Sequence, residues 1–240
     1  MGGRIVRAEK QSGIPHLPVV GKIRIGMKNE RGLPTSLDYF RADDQKCKYA
    51  EIFRRGCGEK PHTIQIIFPV DDPAEVCNER YEYRDDKGAL VAYGDGEKFN
   101  IWDGKQYSEY SVEKYPNLMA QICQKVPTKK GDKNWQIVLT MKFLIPAVNG
   151  IVGLWQFQTR GEASSVKNIR DSFDAVKAIR GTVTQTVFDL SVEFAKSNKP
   201  GVNSRYPVVS LVANDTRIED IRRALKPKDN ISLLLPEKKE

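Results

Sequence analysis

The chain has 240 residues, of which 40% are hydrophobic and 29% charged, and its formal net charge is +8. That length can bury a sizeable core, in one domain or two smaller ones. No run reaches the ~18 apolar residues of a membrane helix, the opening MGGRIVRAEKQSG lacks the apolar stretch of a secretory leader, and Val6 stands where a myristoylation signal needs Ser or Thr. The excess of Lys and Arg suits a polyanionic partner.

Residues 1–20 are punctuated by Gly2, Gly3, Gly13, Pro15 and Pro18 and read as an irregular arm. In GKIRIGMK (21–28), Ile23 and Ile25 alternate with Lys22 and Arg24, which is a strand with a basic outer side. NERGLPTS is a loop broken by Gly32 and Pro34, and LDYFRA leads on into a polar segment. KYAEIFRRG (48–56) reads as a short helix with Tyr49, Ile52 and Phe53 on one side. TIQIIFPV (63–70) reads as a strand with Ile64, Ile66 and Phe68 on one face. Asp71–Asp72–Pro73 opens a helix, with Pro near the first position and acids in the first turn.

The stretch ALVAYGDGEKFNIWDGKQYSEYSV reads as a β-meander, with LVAY and KFNIW joined at Gly94–Asp95–Gly96 and a second tight turn at Asp103–Gly104. The Gly-Asp-Gly is too short and too strand-bound for a phosphate loop. PNLMAQICQKV (116–126) is a helix, PTKKGDKN (127–134) a loop that gathers Lys129, Lys130 and Lys133, and WQIVLTMKFLIP (135–146) a long strand returned by AVNG.

The most regular signal spans Ile151–Phe194: strand IVGLWQFQT, turn RGEASS, helix VKNIRDSFDAVKAIR and second strand TVTQTVFDLSVEF. Val166, Ile169, Phe173, Val176 and Ile179 recur at helical spacing. Ser164 or Ser165 is placed to cap this helix, and Gly181 to end it in a left-handed residue. Phe188, Leu190, Val192 and Phe194 alternate with Asp189, Ser191 and Glu193, so one side is wet and an antiparallel sheet is expected. The basic connection AKSNKPGVNS, the strand YPVVSLVA, the helix DTRIEDIRRALKP and a tail with the apolar run Ile231–Leu235 complete the chain. The expected fold is α+β, mainly antiparallel β with a helix packed between strands. The C-terminal order β-β-α-β-β also suits an OB-like barrel. Four regions are expected: a loop-rich α+β region at 1–126, a basic linker at 127–134, the β-β-α-β-β core at 135–226 and a charged tail at 227–240; a single continuous domain is the alternative.

Catalysis finds little footing. The two histidines, His16 and His62, lie in no HExxH or triad context, and there is no GxSxG. Adjacent acids at Asp43–Asp44, Asp71–Asp72 and Asp85–Asp86 read as caps and solvated turns. Cys47, Cys57, His62 and Cys77 are zinc-ligand types without zinc-finger spacing, so buried thiols are expected, with no metal and no cofactor. Basic residues beside aromatic-bearing strands point instead to nucleic acid: cations neutralise phosphates, and aromatic faces stack on unpaired bases. The candidate contacts are Lys129, Lys130, Lys133, Trp135 and Arg160, a second patch of Lys22, Arg24, Lys28 and Arg31, and a third of Lys196, Lys199 and Arg205. Trp155 and Phe157, at alternate strand positions, read as core.

Three segments resemble the recombination directionality factor-like family of phage proteins: GKIRIGMKNERGLPTSLDYFR, LVAYGDGE, and LTMKFLIPAVNGIVGLWQFQTRGEASSVKNIRDSFDAV. Together they span most of the chain and describe strands and turns, none of them an active site. The family carries a cysteine cluster before the apolar hairpin, where this chain has AQICQKVPTKKGDKNWQ with Cys123 alone, so no metal site transfers. The resemblance implies a non-enzymatic phage or prophage protein in the host cytoplasm. It would bind single-stranded DNA or a recombinase–DNA complex, with a serine integrase or a replication protein as partner. Homo-oligomers are compatible with this, and no membrane is involved. The alternatives are a protein-interaction regulator of an integrase with little DNA affinity, and a metal-dependent hydrolase.

Overall fold

Period-two alternation of apolar and polar residues dominates the chain, and strands dominate the computed structural model, which describes residues 17–43, 47–129, 134–197 and 204–214. The strands are β1 (Val19–Lys28), β2 (Pro34–Ala42), β3 (Thr63–Ile66), β4 (Cys77–Arg84), β5 (Leu90–Gly94), β6 (Lys98–Trp102), β7 (Tyr107–Ser111), β8 (Trp135–Phe143), β9 (Leu154–Thr159), β10 (Phe188–Lys196) and β11 (Arg205–Ala213). The helices are α1 (Ala50–Cys57), α2 (Pro73–Val76), α3 (Leu118–Lys125) and α4 (Lys167–Arg180). No helix of the described residues is long and apolar enough to cross a membrane.

Eight strands form one sheet in the order β2-β1-β9-β8-β4-β5-β6-β7, and three form a second in the order β11-β10-β3. Among the described residues every strand pairing is antiparallel except β1 with β9. The fold is therefore α+β with a mainly antiparallel sheet. The C-terminal order β8-β9-α4-β10-β11 follows the expected pattern, with its two hairpins in different sheets. Strands on either side of 127–134 are interleaved in the large sheet, where β9 and β8 lie between β1 and β4.

The inner faces of both sheets meet in the main core. Ile23, Phe40, Leu139, Met141, Phe143, Trp155 and Phe157 come from the large sheet, and Ile64, Ile66, Leu190, Val192, Val209 and Leu211 from the small one. The helix adds Ile169, Phe173 and Val176, and Phe68 sets its ring edge-on to Phe173 and Phe188. The backbone is close-packed here: a Cβ on Gly21 would run into the Trp155 ring and the Cys47 sulfur. A second, smaller core lies under α3, where Tyr83, Ala92, Phe99, Leu118 and Ile122 are buried.

Five local expectations need revision. TVTQTVFDLSVEF is a strand only from Phe188, because the Thr182 hydroxyl and the Val183 N–H are held in a turn by the Asp71 carboxylate. LDYFRA lies within β2, whose register with β1 shifts between Arg24 and Gly26 and disrupts strict alternation. The helix opening at Asp72 lasts a single turn before the chain becomes β4; Asp72 Oδ1 accepts from the Ala74 N–H at 2.9 Å. TIQIIFPV is a strand only to Ile66, and the next residue, Ile67, bridges to Leu144 beside the large sheet. Neither Ser164 nor Ser165 caps α4. A π-helical turn, Glu162–Val166, precedes the helix, and the buried Ser165 Oγ accepts from the Val209 N–H of β11 at 2.9 Å. Gly181 ends α4 in the left-handed region (φ 78°) as expected. The helix expected at DTRIEDIRRALKP and the 227–240 tail lie outside the described residues.

Candidate nucleic-acid interface

The strand pattern that sends Ile23 inward sends Lys22 and Arg24 out, and pairing register assembles their neighbours. Arg24 stands opposite Arg41 of β2. Lys22 stands beside Gln156 of β9, which faces Lys142 of β8. Gln158 faces Thr140, donating to its hydroxyl at 2.9 Å, and Thr140 faces Asn78 of β4. Directly opposed residues share one side of a sheet, so the outer face reads Arg41, Lys22, Arg24, Gln156, Gln158, Lys142, Thr140, Asn78. Lys22 and Arg24 are exposed and Arg41 and Lys142 half-buried. Asp43 and Cys47 share a small cleft of 170 Å³ with Lys22 and Arg24.

Further along the same face, β4 presents Arg80, Glu82 and Arg84. Glu82 is only 2% exposed and is gripped from both sides, by Arg80 at 2.7 Å and Arg84 at 2.7 Å. The triplet carries net positive charge. Burial raises the Glu82 pKa, and the hydrogen bonds and charges of the two guanidiniums more than reverse this, leaving it below the ordinary carboxylate value. Arg80 lies over the Tyr93 ring, 4.6 Å from its centroid. Tyr93 packs against Tyr107 at 5.2 Å and Tyr107 against Trp102 at 5.1 Å. Trp102 is 43% exposed and Tyr107 38%. The basic face thus ends in an aromatic cluster on β5, β6 and β7.

The remaining candidates are dispersed. Lys28 and Arg31 are exposed at the β1–β2 hairpin, and Lys196 pairs in register with Arg205 at the end of β10–β11 where the two strands are connected, both exposed. Lys129 is exposed, while Lys130, Lys133 and Lys199 lie outside the described residues. Arg160 lines a separate open groove of 830 Å³ with Glu79, Glu162, Lys167 and Arg170, and Arg170 reaches Glu79 at 3.4 Å. Trp135 belongs to the small core: it meets Tyr83 at 5.2 Å and Phe99 at 5.0 Å, and its indole N–H donates to the Met119 carbonyl at 3.3 Å. Arg41, Lys142, Arg80 and Arg84 were not singled out in the sequence. Lys142 was within reach, since it alternates with Met141 and Phe143 in WQIVLTMKF, but the strand identity of the segments bearing Arg41 and Arg80 was not.

The cysteines and His62 do not form a centre. Burial pushes the Cys57 thiol up to about 11, and burial with the nearby acids Asp174 and Glu79 pushes Cys77 up to about 12. His62 is exposed beside Asp38. Among the described residues no group of three or more His, Cys, Asp or Glu is placed to hold a metal ion.

No curated protein and no solved structure matches the chain. A family model does, and it covers β1 through β11: the match to Gp3-like, recombination directionality factor-like proteins runs over residues 20–214, so the chain belongs to that family.

Proposed function

We propose that this is a binding protein, without chemistry of its own, that serves phage DNA transactions by contacting DNA, either free single strands or DNA already engaged by a recombinase. Family membership supports the recombination setting. The observation that carries direct contact is the outer sheet face, where register brings Lys22, Arg24, Arg41 and Lys142 together with the amides of Gln156 and Gln158. Cations neutralise phosphates and release counterions, and amides donate to phosphate oxygens without reading sequence. Lys28 and Arg31, exposed at the β1–β2 hairpin, would add cations at that end. Lys129, Arg160, Lys196 and Arg205 would supply further cations to DNA running past the sheet. Trp135 is not part of the proposed surface.

Fluorescence anisotropy of a labelled oligonucleotide across a salt series tests this. Replacing Lys22, Arg24 and Lys142 together by Ala is expected to weaken binding and to lower the log–log salt slope by about two to three, at ~0.7–0.9 per lost phosphate contact. If the unaltered protein binds neither single-stranded nor duplex DNA at low salt, direct contact is wrong and the protein acts through a recombinase alone.

A further inference from the structure

Trp102, Tyr107 and Tyr93 form an aromatic cluster on the same side of the large sheet as the basic row, and that continuity tells which DNA the face takes. We propose that the β5–β6–β7 end of the sheet is a base-stacking platform, and that the ligand is single-stranded DNA. Its backbone would run over Lys22, Arg24, Lys142 and Arg80, with its unpaired bases on Trp102 and Tyr107. This rests on the DNA-contact reading above and narrows it to one strand form.

Three observations carry it. Large aromatic rings stand open to solvent at Trp102 (43%) and Tyr107 (38%), whereas Trp155 is 2% exposed and Trp135 is packed in the small core. The rings are held in place: the Tyr107 hydroxyl donates to the Leu90 carbonyl at 2.7 Å, and Tyr93 is fixed between Tyr107 and the Arg80 guanidinium. A rigid ring surface loses little entropy when a base settles on it. Finally, the acids on the strands of this part of the face are ion-paired, Glu82 with Arg80 and Arg84 and Glu109 with Lys98 at 3.3 Å, and the Asp103 carboxylate in the turn between Trp102 and Tyr107 is engaged by the Lys105 and Gln106 N–H groups. Charge also argues against a second copy of the chain as occupant, because two such faces would bring like charges together. Duplex DNA offers the same phosphates, but its bases are stacked on one another and cannot lie on Trp102.

The experiment compares an oligo(dT) with a duplex of equal length at matched salt, following both anisotropy and tryptophan emission. Oligo(dT) is expected to bind more tightly than the duplex and to quench the emission. Trp102→Phe keeps a ring and is expected to retain binding while losing most of the quenching. Trp102→Ala with Tyr107→Ala is expected to weaken oligo(dT) binding by about tenfold or more, the scale of one or two lost base–ring stacks, with duplex affinity changed less than about twofold. Equal affinity for the two forms, with emission unaffected, overturns the platform while leaving the phosphate-binding face intact. Emission that changes with protein concentration alone also overturns it and assigns the rings to self-association. Absence of binding to any DNA removes the parent reading together with this one.

Discussion

Glu82 sits on the outer side of a strand yet is 2% exposed, because the side chains two residues before and after it fold over its carboxylate. Residues at i, i+2 and i+4 share one side of a strand, so Arg80, Glu82 and Arg84 form a built-in ion triplet. Removing one partner from a buried pair leaves charge without a match. Glu82→Gln is expected to cost about 2–3 kcal/mol, toward the low end for buried pairs because both arginines stay about one-third exposed. The midpoint of urea unfolding at neutral pH reads this. The pH dependence follows from the depressed pKa: the stabilisation is complete above the unfolded-state value, about 4.3, and is lost as the pH falls through the lower folded-state value. The Gln variant should therefore lose less stability than the parent between neutral pH and pH 3. In the sequence, CNERYEYR reads as the continuation of the helix opened at Asp71–Asp72–Pro73. Its charges satisfy one another only once the strand exists, and this kept both β4 and its buried glutamate from being recognised.

Among the elements, the segment before α2 is tied to a turn far along the chain. The Asp71 carboxylate accepts from the Thr182 hydroxyl at 2.8 Å, from the Val183 N–H at 2.6 Å and from the Thr184 N–H at 3.2 Å, and the Asp71 carbonyl accepts from Lys177 at 3.0 Å. This clamp fixes the exit of α4 relative to β10. Asp71→Ala leaves these donors without their acceptor and is expected to cost about 1–3 kcal/mol. Thr182→Val should cost less, and the two changes together less than their sum, since they remove one shared contact. Thermal or urea unfolding of the four-protein cycle measures the coupling, and strict additivity would deny the clamp. Elements with one clean period were legible from sequence: β1, α1, the β5–β6 hairpin, α3, β8, β9, α4 with its Gly181 end, and the inward side of β10 as far as Val192. Phe194, expected to continue that side, is 37% exposed near the strand end. The misread places are those where a long-range partner outweighs the local signal. Asp71 looks like a helix opener and instead serves a distant turn; Ser165 looks like a cap and instead bonds β11.

At the scale of the whole molecule, strand order was the least legible property, since nothing local in β1 announces that its neighbour is β9. The basic candidates Lys22 and Arg24 were legible as the wet side of a strand. The face they belong to became visible only when register placed Arg41, Lys142 and the two glutamines beside them. Interleaving also makes a mechanical prediction. With β9 and β8 between β1 and β4, neither the part before the 127–134 segment nor the part after it holds a complete sheet. Fragments 1–126 and 127–240 expressed separately are expected to lack native-like tertiary signals in near-UV circular dichroism, and the intact chain to unfold in a single transition. Two separate transitions, or a folded N-terminal fragment, would show that the regions are independent.

The order β2-β1-β9-β8-β4 has a further consequence for how the protein comes into being. During synthesis the β1–β2 hairpin and the strands from β4 to β7 leave the ribosome first, each with one flank waiting for a strand not yet made. The β8–β9 hairpin arrives later and wedges between those flanks like a keystone, joining both ends in one step. Until it does, the nascent chain shows two hydrogen-bonding edges that the finished sheet closes, on β1 and β4, the form in which strands pair with the wrong partner. The time taken to translate from β4 to the end of β9 therefore bounds how long the newborn protein is at risk.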